Sequence, residues 1–161
     1  MVRVWIAVVF GSLAIVDDLV RRRISNWIAV GALLSGLTLQ VAEHGWRGGV
    51  DALLGALTGS AVFLLFYLLG GMGGGDVKLM AGFGALLGVT GILYAALWTC
   101  AFGGIHAMGA IAASALKRTL SRSQVMANAA GVTSPARTAP VSIPYAPAIA
   151  LGVWVSLIPK N

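Results

Sequence analysis

The stretch "GGMGGGDVK" (residues 70–78) interrupts an otherwise apolar part of the chain and marks a boundary between two helical regions. Five of its first six residues are glycine, and each glycine costs about 1 kcal/mol relative to alanine inside a helix. The stretch therefore predicts a break in the helix. Glycine also lets another backbone come unusually close, so the carboxylate of Asp76, which follows the glycines, is a candidate functional group.

The chain around this stretch is too apolar for a soluble fold. Of its 161 residues, 58% are hydrophobic and only 10% are charged, and the mean hydropathy is +0.90. Such a composition indicates a lipid bilayer. In so apolar a chain, the net charge of +6 is typical of basic loops that orient the protein in the membrane. Nucleic acid is therefore not an expected partner. A single cysteine, Cys100, excludes an internal disulfide and a zinc site built on paired C-x-x-C motifs; we expect no metal and no cofactor.

The apolar runs predict an all-α, polytopic integral membrane protein with about six transmembrane helices, forming one membrane-embedded domain over residues 1–161. A bilayer core of about 30 Å needs about 20 helical residues. Residues 79–116 carry no charge and are too long for one crossing, so we expect a bend at "GVTG" (88–91). The predicted connections include a loop at "EHGWRGG" (43–49) and a polar cytoplasmic loop at about 117–140. The predicted spans are residues 4–16, 27–42, 52–69, a short fourth span up to about 88, 92–116 and 141–158.

Basic residues in the loops predict how the chain is oriented. If the turn after the first span is cytoplasmic, the basic residues on that side are Arg21, Arg22, Arg23, Lys78, Lys117, Arg118, Arg122 and Arg137. Those on the other side are Arg3, Arg47 and Lys160. Both termini then face away from the cytoplasm, and Asp18 and Asp76 lie at the same cytoplasmic face.

The five acidic residues divide between the two faces. Glu43 and Asp51 flank the outer loop, where we expect them to be solvated. Asp17, Asp18 and Asp76 lie at cytoplasmic ends of spans, where a carboxylate is either a solubilising end cap or a functional group. Two carboxylates that face each other at the edge of a low-dielectric medium do not both ionise readily, so one holds a proton. Aspartic proteases use such a pair to activate water.

Three segments resemble one known family. "GGMGGGDVKLM" (residues 70–80) resembles the G-x-G-D motif of the intramembrane aspartyl peptidases that process type IV prepilins and archaeal preflagellins. "DLVRRRISN" (18–26) is similar to the family's other catalytic stretch. "IPYAPAIALG" (143–152) resembles the last-helix signature of the small prepilin peptidases that serve Flp-type, tight-adherence pili. The segments come in the family's order, and with the predicted spans the resemblance extends over essentially the whole chain.

The resemblance implies that Asp18 and Asp76 are the catalytic pair of an aspartyl endopeptidase in the bacterial inner membrane. Asp18 has the family's distance to Ile24 and Asn26, which leaves Asp17 as a neighbour outside the pair. Ser25 stands where the family usually has proline. Larger relatives also N-methylate the new amino terminus and carry an insert with paired C-x-x-C motifs, so this chain, which lacks the insert, is expected only to cleave.

The implied substrate is a prepilin with a short basic leader and an apolar helix, cut at the cytoplasmic face after a small residue, usually glycine. The expected substrate-binding residues are Gly73, Gly74, Gly75, Lys78 and Asn26. Lys78 either acts on Asp76 or reaches the lipid headgroups. The arginine turn, Arg21, Arg22 and Arg23, is expected to contact anionic headgroups, because a basic leader would be repelled.

Two other functions fit parts of the pattern less well. A phosphate-binding loop is disfavoured because the glycines follow a membrane span instead of a strand, and G-x-x-x-x-G-K-[ST] is missing. A small non-enzymatic carrier or channel would use carboxylates nearer mid-span. It remains the alternative to the peptidase.

Overall fold

The computed structural model describes residues 1–69, 72–127 and 145–158, and these form four α-helices. They are α1 (Val2–Arg21), α2 (Asn26–Leu68), α3 (Gly74–Ala127) and α4 (Ala146–Ser156). Two compact units can be separated: one comprises Met1–Gly103 with Pro144–Asn161, the other Gly104–Ile143. The prediction of an all-α chain is confirmed for the described residues.

Two helical segments in the described part of the chain are long and apolar enough to cross a membrane. They are Asn26–Leu68 and Gly74–Ile105, while Ala146–Ser156 is a shorter apolar helix. The prediction of a membrane protein agrees with these segments, and the number of six spans stays a prediction.

Helix α2 is interrupted at one residue, Gly45, which has φ 58° and ψ −141°. The connection predicted over residues 43–49 is present as a break at Gly45, but the prediction of an irregular loop there is wrong, since the chain is helical on both sides of Gly45. The reason is that glycine reaches positive φ without steric cost, so a single residue is enough to interrupt the helix. Beyond it the chain returns in the opposite direction: Ala29 and Gly55 lie in the two halves of α2, and both contact α3.

Helix α3 is interrupted at Gly88, with φ 73° and ψ −179°. This break lies at the start of the bend expected over residues 88–91. The Asp51 side chain of α2 packs directly against Gly88, and its Oδ1 accepts a hydrogen bond of 3.3 Å from the amide of Val89. Asp51 is exposed, as expected, and it also satisfies a backbone donor where the second half of α3 begins.

The end of α3 differs from the sequence prediction. Residues 117–127, expected to belong to a polar loop, continue the helix to Ala127. Their sequence, "KRTLSRSQVMA", contains neither glycine nor proline and is rich in good helix formers, so its polarity does not end the helix. The rest of the predicted loop, 128–140, lies outside the described residues, as does the start of the predicted last span, 141–144. That span is a helix over Ala146–Ser156, with Pro147 in its first turn.

The first half of α3 packs between the two halves of α2. Gly84 and Gly55 meet backbone to backbone, and a Cβ at Gly82 would lie 2.8 Å from the carbonyl oxygen of Ala29. Buried apolar side chains of this half of α3 form part of the core: Leu79, Met80, Phe83 and Leu86. As a result α2 and the first half of α3 begin at the same end of the bundle, where Asn26 contacts Lys78.

Helix α4 packs against α1 and α3. The Trp154 indole donates a hydrogen bond of 3.1 Å to the carbonyl oxygen of Ala7, and its ring covers Gly11. On the other side Gly152 lies directly against Thr99 of α3. These contacts fix the start of α4 near the end of α1.

We predict that Gly88→Ala destabilises the protein more than Gly45→Ala does. Both glycines have positive φ, which costs another residue about 1–3 kcal/mol. A Cβ at Gly88 would also collide with the Asp51 carboxylate, whereas one at Gly45 has no neighbour within 4 Å. Thermal unfolding in detergent, followed by circular dichroism, measures the difference. Equal falls in the two midpoints would contradict the packing described at Gly88.

Candidate active site

A cavity of about 300 Å³ opens where the end of α1, the turn after it and the starts of α2 and α3 meet. All the site residues predicted from the sequence line it: Asp18, Asn26, Gly73, Gly74, Gly75, Asp76 and Lys78. Arg22, Arg23 and Ile24 complete the lining. Residues from distant parts of the sequence are therefore brought together at one place.

Asp76 is held by the start of its own helix. Its Oδ2 accepts a hydrogen bond of 3.1 Å from the amide of Gly73, and its own amide donates one of 3.1 Å to the Gly73 carbonyl. This reciprocal pair resembles the carboxylate half of a capping box, and the negative charge is favoured at a helix N-terminus. The residue is only 6% exposed, so its carboxyl group is both buried and oriented.

The glycines before Asp76 differ in how much room they have. Gly73 and Gly74 are exposed, and a Cβ at either would meet its neighbours at ordinary contact distances. At Gly75 a Cβ would come within 3.1 Å of the Ile24 side chain. Gly75 therefore allows the turn after α1 to pack on the start of α3, while Gly73 and Gly74 leave the cavity open.

Asp18, in the last turn of α1, is held by a helix far away in sequence. Its Oδ2 accepts a hydrogen bond of 3.1 Å from the amide of Ala146, the first residue of α4. Asp18 is 9% exposed, and it lines the same cavity as Asp76. The sequence marked residues 143–152 as a signature, but it contained no signal that this segment contacts Asp18.

Asp17 points away from the cavity and into the turn. Its Oδ2 accepts a hydrogen bond of 2.7 Å from the Ser25 amide, and its Oδ1 lies 3.5 Å from Arg21 Nε. Hydrogen bonds from Ser25, aided by the Arg21 charge, hold the pKa of Asp17 below its usual value. Proline, usual at this position in the family that the sequence resembles, has no amide hydrogen to donate, so this backbone contact requires a residue other than proline.

Lys78 and Asn26 join the starts of the two long helices. The Lys78 ammonium donates a hydrogen bond of 2.9 Å to Asn26 Oδ1, and both side chains are exposed. The sequence analysis placed Lys78 either with Asp76 or at the lipid headgroups, and it did not predict the contact with Asn26.

The arginine turn borders the cavity. Arg22 has the left-handed φ of 51°, and its amide ends α1 by donating to the Asp18 carbonyl at 2.9 Å. Arg22 and Arg23 line the cavity that contains the aspartates. Arg21 and Arg23 also line a neighbouring cavity of about 600 Å³. Basic side chains thus line the same cavity as both carboxylates, which the sequence analysis did not predict.

Comparison with known proteins identifies the family. A model of the type IV leader peptidase family matches residues 5–108, which include both aspartates and the glycine stretch. No curated protein and no solved structure matches the chain. The two long apolar helices fit the inner-membrane location of such peptidases. The match extends over well more than half of the sequence, and the chain belongs to the type IV leader peptidase family.

Proposed function

We propose that this protein is an aspartyl endopeptidase that removes the leader of type IV prepilins at the cytoplasmic face of the inner membrane. The observation that carries the proposal is that Asp18 and Asp76, both buried, line one cavity in a member of a leader peptidase family. A carrier or channel is disfavoured, because the family consists of peptidases.

The proposed chemistry needs one ionised and one protonated carboxyl group. The ionised group takes a proton from a water molecule as that water attacks the scissile carbonyl, and the protonated group donates to the carbonyl oxygen. When the tetrahedral intermediate breaks down, the departing amine receives a proton from the pair. The backbone amides of Gly73 and Ala146 orient the two groups. Because such a pair titrates jointly, neither residue is given a fixed role.

The proposed substrate is a small, Flp-like prepilin, as suggested by the resemblance of residues 143–152 to the signature of that subtype. Its peptide bond must leave the helical conformation before water can attack, and a glycine before the cut makes this unwinding cheap. The exposed Gly73 and Gly74 offer room for the unwound backbone beside Asp76. With one cysteine and no paired C-x-x-C motif in the sequence, we propose cleavage without N-methylation.

We further propose that the chain crosses the membrane six times as one domain, with both termini outside. The interruptions at Gly45 and Gly88 support this number, because they divide the two longest helices into shorter segments. In this arrangement the arginine turn lies at the cytoplasmic interface, where anionic headgroups are available to Arg21, Arg22 and Arg23.

We predict that Asp18→Asn and Asp76→Asn each lower the rate of leader removal by at least about a hundredfold, the size of a lost acid or base. Asparagine has nearly the same shape and still accepts the hydrogen bond from Ala146 or Gly73, so the loss is chemical. Mass analysis of a co-expressed small prepilin measures cleavage.

Asp17→Asn is the matched control for these variants. It changes a carboxylate in the adjacent position but keeps an acceptor for the Ser25 amide. It loses only an ion pair at 3.5 Å with the exposed Arg21, so we expect cleavage within about fivefold of the original protein. Full activity of the Asp76→Asn protein, or a greater loss in Asp17→Asn than in Asp18→Asn, would contradict the assignment.

We predict a smaller effect at Lys78, because its contact with Asn26 positions two helix starts without entering the chemistry. Lys78→Met removes the hydrogen bond and slows cleavage by less than about tenfold. Lys78→Gln keeps a donor and restores most of the rate. The initial rates at which the two variants cleave one prepilin measure the effect. Complete inactivity of both variants would contradict a positioning role and place the ammonium group in the reaction itself.

A further inference from the structure

An apolar groove adjoins the cavity that contains the aspartates. It has a volume of about 350 Å³ and is lined by Asn26, Ala29, Val30, Leu33, Lys78 and Ala81. Its walls come from the first half of α2 and the start of α3. Apart from Asn26 and Lys78 at one end, every lining residue is apolar.

The groove and the cavity are neighbours, since Asn26 and Lys78 line both. From this shared end α2 and α3 run side by side in the same direction. Asn26 meets Lys78, and further along Ala29 meets Gly82. The distance along α2 from Asn26 to Leu33 is about 10 Å, or two helical turns. The groove therefore leads from the aspartates along the length of the bundle.

The shape of the groove suits one side of a helix. Ala29, 5% exposed, contributes a small side chain, as does the half-buried Ala81. Val30 is 48% exposed. A helix about 10–12 Å wide is too large to be enclosed, so it would lie across the opening and insert side chains. Small residues at such a surface let two helices come close, which is how helices associate in lipid.

We propose that this groove binds the apolar helix of the substrate immediately after the scissile bond. This inference rests on the proposed function and names the surface that recognises the substrate. A prepilin has a polar junction followed by an apolar helix, and the protein presents a polar cavity followed by an apolar groove in the same order. Recognition is then of the helix-in-groove kind, and the groove places the junction beside Asp18 and Asp76.

The first test is photo-crosslinking in membranes. A photoreactive benzoylphenylalanine replaces Val30 in the Asp76→Asn protein, which retains uncleaved substrate. The probe is a prepilin with a basic leader, a glycine before the cut and an apolar helix of about 20 residues. Leu54 of α2, 49% exposed against 48% for Val30, is the matched control position because it lies outside the groove.

The groove predicts a prepilin adduct at position 30 and much less at position 54. Only lipid adducts at position 30, or equal prepilin adducts at both positions, would overturn the proposal. Cleavage of the same prepilin by the unaltered protein is measured in parallel. Cleavage without an adduct at position 30 rejects the groove alone, whereas an unaltered protein that cannot cleave rejects the proposed function and the groove with it.

The second test compares two substrates of the Ala81→Leu protein, whose larger side chain fills the groove. One substrate is the prepilin with its apolar helix, and the other is a short peptide that ends a few residues after the cut. We expect KM for the helical substrate to rise about tenfold more than KM for the peptide. A change of this size is typical when a methylene group is added or removed in an apolar site. Equal changes for both substrates would overturn the proposal, since misfolding affects both.

Discussion

The backbone of α3 between Gly74 and Gly88 contacts the backbone of α2 on both sides of Gly45. Gly84 meets Gly55 in one half of α2, and Gly82 meets Ala29 in the other. Side chains at these positions would separate the helices, because each added Cβ would overlap or crowd a carbonyl oxygen. The close approach aligns the start of α2 with the start of α3, and the cavity depends on this alignment.

Each aspartate in the cavity is bound to the start of a helix. Asp76 accepts from the residue that precedes α3, and Asp18 accepts from the first residue of α4. A buried carboxyl group without a partner is costly, and the amides at a helix N-terminus are donors with no partner within the helix. The helix amides and the buried carboxyl groups therefore satisfy each other, and the fold orients Asp18 and Asp76 with little loss of free energy. Asp17 is satisfied by the turn at Ser25 and is thereby separated from the pair.

The predicted site residues line one cavity, whereas two of the predicted connections differ from the structure. The candidate site residues could be identified from the sequence because their motifs are short and local. The break at Gly88 could be predicted because the uncharged segment is too long for one membrane crossing. Residues 43–49 and 117–127 were misread because polar composition was taken to mean irregular structure, whereas helix formation depends on backbone propensity. The contact of Asp18 with Ala146 could not be predicted, because it joins residues 128 apart through the packing of α4 on α1. The Lys78 partner, Asn26, depends on packing in the same way.

The spatial pairing of Asp18 with Asp76 is the central claim, and site-directed crosslinking tests it most directly. Asp18→Cys and Asp76→Cys are combined in a Cys100→Ser background and treated in membranes with a short bifunctional thiol reagent. The control replaces Asp18→Cys by Asp51→Cys, whose contact at Gly88 lies about 18 Å along α3 from Asp76. The account predicts a bridged protein from the first pair and none from the control, measured by mass. No bridge between positions 18 and 76, or equal bridging in both proteins, would contradict it.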